Sequence, residues 1–175
     1  MSKAIHQRSF EALLHDHRGI ILKVAAVYAR DPDDRLDLAQ EIRVQLWRSF
    51  GAYDASRAKV STWMYRIALN VAISYRRRDR ALLTGRVEPL EARHLETIGG
   101  GDSVVEDDER LAALYAFIGE LDPLNRALIL LYLEDRPYGE IAEVLGITET
   151  NVATRLGRIR QTLRGRVTAA ETSGA

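Results

Sequence analysis

The chain has 175 residues with 25 basic and 25 acidic side chains, so its formal net charge is zero. It lacks cysteine, which excludes disulfides and thiolate metal sites, and its 46% hydrophobic and 29% charged content is that of a folded protein rather than a disordered one. The opening MSKAIHQRSFEALLHDH has no signal-peptide apolar run, and no stretch nears the ~18 uninterrupted apolar residues of a membrane span, so a cytoplasmic protein without membrane insertion is expected.

A helical apolar period runs from about Ser9 to Ala29 through Phe10, Leu13, Leu14, Ile21, Val24, Ala25 and Tyr28. After the polar break at 30–34, Leu38, Ile42, Leu46 and Trp47 mark a second helix with a mixed acidic face. Residues 50–57 are turn-like. Thr62 is placed to cap a third long helix with the stripe Trp63, Ile67, Val71 and Tyr75. Residues 81–105 hold Gly85, Pro89 and a triple glycine without a sustained period, which predicts a flexible linker.

Helical patterns resume at about Val105–Leu121, Leu124–Glu134, Tyr138–Leu145 and Thr148–Arg166, with Pro123 and Pro137 where a helix start tolerates proline. No alternating strand pattern occurs. The expected fold is all-α, two small helical domains (1–80 and 106–175) joined by the 81–105 linker. Gly146-Ile147-Thr148 between the last two helices is a glycine stop, a buried aliphatic and a capping hydroxyl, the signature of a helix-turn-helix.

The zero net charge conceals a segregation of sign. Residues 1–80 are net +6, 106–147 net −7 and 148–175 net +3. Opposite the stripe Val152, Leu156, Ile159 and Leu163, the last helix presents Thr150, Asn151, Thr154, Arg155, Arg158 and Gln161. Short polar side chains followed by arginines suit a helix entering a major groove, where arginine grips guanine or phosphate and asparagine pairs with adenine. A solvated amphipathic helix with cations near its C-terminus is the plainer alternative.

The third helix is the second basic element, with Arg66, Asn70 and Arg77 on one face and Arg76 beside them. Tyr65, Tyr75 and Trp63, with Phe50 and Tyr53 in the preceding loop, interleave with these cations, as stacking platforms for single-stranded nucleic acid do, although Trp63 itself is expected in the core. The second helix offers Asp37, Gln40, Glu41 and Trp47, a face suited to a protein partner bearing arginines; the alternative buries Trp47 within its own domain. The acidic segment 106–147 is expected to oppose tight DNA binding by the free protein.

Catalysis finds no support. His15 and His17 lie two apart, about 200° around a helix, and cannot chelate jointly. The run Glu106–Glu109 suits a helix N-terminus. No phosphate loop or nucleophile triad is present, and no cofactor is implied.

Together, DRLDLAQEIRVQLW, STWMYRIALNVAISYRRR and LDPLNRALILLYLEDRPYGEIAEVLGITETNVATRLGRIRQTLR resemble a bacterial RNA polymerase sigma factor of the sigma-70 family, extracytoplasmic-function group. The resemblance covers about residues 9–166. It implies that Asp37–Trp47 docks on the clamp helices of the polymerase β′ subunit, with the β flap as a further polymerase contact. By the same resemblance, Phe50–Lys59 and Trp63–Arg78 open and read the −10 element, with Asn70 near an extruded base and Arg66, Arg76 and Arg77 near its backbone. Tyr138–Arg164 would read the −35 element as duplex, and the linker would thread towards the RNA exit path. Many relatives are held inactive by an anti-sigma factor, a further implied partner. Leu36 and Ser74 stand where family members often carry acidic residues.

A stand-alone helix-turn-helix regulator would leave the basic aromatic helix and Asp37–Trp47 without a role. A helical adaptor that binds only proteins would leave the arginines unexplained.

Overall fold

The computed structural model describes residues 3–82 and 105–173, and all regular structure among them is helical. The chain divides into two units, Met1–His94 and Leu95–Ala175. The linker expected over 81–105 lies almost entirely outside the described residues.

The N-terminal unit contains α1 (Lys3–Asp16), α2 (Arg18–Tyr28), α3 (Pro32–Phe50) and α4 (Val60–Leu82). The single helix expected over Ser9–Ala29 is two helices. They break at His17, whose backbone (φ −114°, ψ 18°) leaves the helical region and whose side chain makes no capping bond. The start of α3 is written more clearly: Asp31 accepts a bond from the Asp34 N–H at 2.8 Å, and Pro32 follows in the first turn. That N–H holds the Asp31 carboxyl below its ordinary value of 3.8. The cap therefore contributes fully above the ordinary aspartate range and is lost as pH falls through it.

Helices α2, α3 and α4 pack on one another. Their shared core holds Ile21, Val24, Tyr28, Leu38, Ile42, Leu46, Met64 and Leu69, all essentially inaccessible. The buried stripe of α4 is Met64, Ala68, Leu69 and Ala72, one position out of phase with the expected one; Trp63, Ile67 and Val71 flank it half-buried. Thr62 is not a cap. The helix starts two residues earlier, at Val60, and Thr62 is buried inside its first turn.

The C-terminal unit contains α5 (Val105–Glu120), α6 (Pro123–Leu133), α7 (Tyr138–Leu145) and α8 (Glu149–Ser173), close to the expected bounds except that α8 continues about two turns past Arg166. Asp122 caps α6 by accepting from the N–H groups of Leu124 and Asn125, both at 3.1 Å. Six consecutive residues of α6, Arg126–Leu131, are buried, so this helix is surrounded rather than amphipathic. It ends with Asp135 in the left-handed region (φ 55°), where the Asp135 and Arg136 N–H groups return to the carbonyls of Tyr132 and Leu131. The fully buried side chains Leu128, Leu131, Ile141 and Leu156 join α6, α7 and α8 in one core.

Candidate nucleic-acid and partner interfaces

The helix-turn-helix is built at α7–α8. Gly146 sits at φ 67°, a left-handed conformation that glycine adopts without penalty, and the N–H groups of Gly146 and Ile147 both reach the Ala142 carbonyl. Thr148 then accepts a bond from the Asn151 N–H at 3.2 Å and starts α8. Val152, Leu156 and Ile159 are buried, which fixes the rotation of α8 and turns Thr150, Asn151, Thr154, Arg158 and Gln161 to the exposed side. Leu163 is only half-buried, so the stripe weakens in the later turns.

The arginines of α8 do not act alike. Arg160 lies over the Tyr132 ring, 4.8 Å from its centroid, and donates to the Tyr138 hydroxyl at 2.9 Å, so it fastens α8 to α6 and α7. Arg166 pairs with Glu120 at 2.5 Å and covers the Phe117 ring of α5. This bond lowers the Glu120 carboxyl and raises the Arg166 guanidinium. Arg155 is half-buried: its Nε donates to Asn151 Oδ1 at 3.0 Å and a terminal nitrogen donates to Asn125 Oδ1 at 3.1 Å. Arg158 and Arg164 project from exposed positions. Sequence periodicity cannot separate these roles, because the partners come from α5, α6 and α7.

In the N-terminal unit, Arg66, Asn70 and Arg77 share the exposed face of α4 and Arg76 is half-buried. Tyr65 is placed differently from the expectation. At 1% exposure its ring belongs to the core, so it offers no stacking surface to a base. Aromatic surface lies instead in and beside the 51–59 loop, where Tyr53 stacks on Trp63 with centroids 4.8 Å apart. Phe50 continues the series to Phe10, and Phe10 meets Trp47 edge-on at 5.1 Å.

The loop itself is fixed by local bonds. Tyr53 Oη donates to the Ala58 carbonyl at 3.1 Å, and the N–H and hydroxyl of Ser56 both donate to Asp54. Those donors, the hydroxyl first, hold the Asp54 carboxyl below its usual range. Arg57 and Lys59 are exposed on the loop.

The acidic residues of α3 divide into two groups. Asp34 accepts from the Tyr75 hydroxyl at 3.1 Å, and Glu41 pairs with Arg78 at 2.5 Å, so both turn towards α4. An open groove between the two helices is lined by Glu41, Gln45, Asn70, Ser74 and Arg78. Asp37 and Gln40 face outward beside Leu36, which is 68% exposed, with Val44 and Trp47 completing the arc. Trp47 meets both expectations in part: it packs on Phe10 and remains 38% exposed. Leu36 is marked in the sequence only by the family resemblance and the exposed Val44 not at all, since no periodic rule marks an apolar residue on an acidic face.

Among the described residues no cluster of histidine, aspartate and glutamate is arranged to hold a metal, and no helix is long and apolar enough to cross a membrane.

Comparison with known proteins agrees with this division. Residues 13–81 match sigma-70 region 2 and residues 111–163 match sigma-70 region 4. The chain is 30% identical over 136 residues to the ECF RNA polymerase sigma factor SigW of Bacillus subtilis, covering 73% of this chain and 72% of that one. It is 28% identical over 165 residues to the RNA polymerase sigma-H factor of Pseudomonas aeruginosa, covering 90% and 85%. Among solved structures, the fold is similar to the sigma factor RpoE in complex with the anti-sigma factor NepR from Bartonella quintana. That match has a TM-score of 0.66 at 17% identity and covers 93% of this chain and 96% of that one.

Proposed function

We propose a residue-level division of labour for this chain, which belongs to the sigma-70 family, extracytoplasmic-function group. As a sigma factor it binds core RNA polymerase and directs promoter-specific initiation of transcription, and it is not an enzyme. Its partners are the polymerase and promoter DNA, and the similar RpoE is seen with an anti-sigma factor, a further partner class for this chain. Its place of action is the cytoplasm, where the polymerase is.

The domain bounds assigned are 1–80 for clamp binding and −10 recognition, 81–105 for the linker, and 106–175 for −35 recognition. In the C-terminal unit, α8 enters the major groove of the −35 duplex with Thr150, Asn151, Thr154, Arg155, Arg158 and Gln161. In the N-terminal unit, Arg66, Asn70, Arg76 and Arg77 of α4 follow the separated −10 strand, next to the ordered 51–59 loop. The outward arc of α3, with Asp37, Gln40 and Trp47, docks on the β′ clamp helices; Glu41 supports this arc from its pairing with Arg78. The β flap is the partner assigned to the C-terminal unit.

The energetics are coherent. Unstacking DNA costs a few kcal/mol per step, and stacked or captured bases return about 1–3 kcal/mol each. Duplex contacts by α8 supply the register of the protein along the DNA. The observation that carries this reading is the rotation of α8: its apolar stripe is sealed and its polar face is left open.

Arg158→Ala removes an exposed cation without touching the core. It should lower transcription from a cognate promoter by about tenfold while affinity for core polymerase and thermal stability stay unchanged. Unaltered promoter activity in a reconstituted transcription assay would show that this face does not read DNA.

A further inference from the structure

We infer that Asn125, a residue of α6 outside the helix-turn-helix, is a positioning residue that sets the base preference of α8. The inference rests on the duplex-reading role assigned to α8 above. Its basis is a continuous chain of hydrogen bonds. Asp122 is anchored by two N–H groups at the start of α6. The Asn125 side-chain amide donates through Nδ2 to the Asp122 carboxylate. That donation fixes which way the amide points and leaves Oδ1 facing α8, where it accepts from Arg155 at 3.1 Å. Arg155 in turn donates through Nε to Asn151 Oδ1 at 3.0 Å.

The chemistry at the far end follows from this order. A free asparagine reads adenine with both ends of its amide, the oxygen accepting from N6 and the nitrogen donating to N7. In this structure the Asn151 oxygen already receives the Arg155 guanidinium. An adenine would have to place a second donor on that oxygen, beside a positive charge. What the pair still offers outward is N–H groups: the Asn151 amide nitrogen and the remaining guanidinium donors of Arg155. Such a donor-only pair complements an edge made of acceptors, which in the major groove is guanine N7 and O6. Asn125 also holds Arg155 in one rotamer before DNA arrives, which lowers the ordering cost of binding.

The test is selection from a duplex promoter library, randomised across the −35 element, by holoenzyme reconstituted from core RNA polymerase and the full chain. The wild type should enrich guanine over adenine about tenfold at the one position that Arg155→Ala disturbs. Asn125→Ala should reduce that ratio to within about twofold at this position alone, with polymerase affinity and preferences elsewhere unchanged. Exchanging the pair, Asp122→Asn with Asn125→Asp, keeps one donor and one acceptor between the two positions and an acceptor for Arg155; it should retain the discrimination, a rescue that a packing role would not produce.

Asn125→Ala behaving as wild type at a position that Arg155→Ala does disturb would overturn the inference alone. So would a loss spread evenly over all positions, or enrichment of adenine by the wild type. A wild-type holoenzyme that transcribes but selects no −35 sequence would overturn the duplex-reading role and the inference together.

Discussion

Arg126→Ala should strongly destabilise the C-terminal unit while leaving the stability of the N-terminal unit unchanged. Arg126 is 3% exposed, and a terminal guanidinium nitrogen donates to the carbonyls of Gly119 and Leu121, where α5 ends and the connection to α6 begins. Truncation removes a charged donor from two backbone acceptors and leaves a cavity behind. Hydrogen bonds to charged groups are worth about 1.5–3 kcal/mol each, so a loss of about 3–5 kcal/mol is expected. A unit of this size has a total stability of roughly 4–12 kcal/mol, and the loss is a large part of it. Both tryptophans, Trp47 and Trp63, belong to the N-terminal unit. The tryptophan fluorescence transition in urea should therefore stay in place while the helical circular dichroism loses an early component. A fluorescence transition that moved with the variant would contradict this separation.

Asp37→Arg should weaken binding to core polymerase on the order of a hundredfold without lowering the melting temperature. Asp37 is exposed on the side of α3 opposite the buried Leu38, Ile42 and Leu46. Its neighbours on that arc include the exposed apolar Leu36 and Trp47, with Asp33 and the arginines Arg43 and Arg48 also exposed on this helix, a mixture that suits the docking role proposed for it. Glu41→Arg is a less discriminating variant, because it also breaks the Arg78 pair and sets two cations against each other on α3 and α4. A binding measurement with Asp37→Arg isolates the outward arc. Undiminished affinity would remove that arc from the polymerase contact.

The difference between these two variants shows what the sequence reveals and what it withholds. The bounds of α6 and α7 and the start of α8 are legible because their signals are local: Asp122-Pro123, Pro137, Gly146 and Thr148 each satisfy a helix end within a few residues. The break between α1 and α2 is not legible, since His17 supplies no cap and the apolar period continues across it. The phase of α4 is ambiguous for a related reason. Trp63, Ile67 and Val71 and the series Met64, Ala68 and Ala72 both recur every four residues, and only packing against α2 and α3 selects the smaller side chains.

Tyr65 falls to the core through the same choice. The open face of α8 is readable because its apolar stripe is regular. The separate duties of Arg155, Arg160 and Arg166 are not, because their partners Asn125, Tyr132, Tyr138 and Glu120 lie up to 46 positions away.

The clasp between Glu41 and Arg78 has a consequence for how α3 and α4 would communicate in the roles proposed for them. Both side chains are well hydrated, at 41% and 61% exposure. Opening such a pair costs at most about 1 kcal/mol, and less as ions accumulate. A strand following α4 as proposed would set its phosphodiesters in competition with a single carboxylate for that guanidinium. Arg78 would then be shared between two anions, and its release would leave Glu41 unpaired on α3 as the strand is engaged.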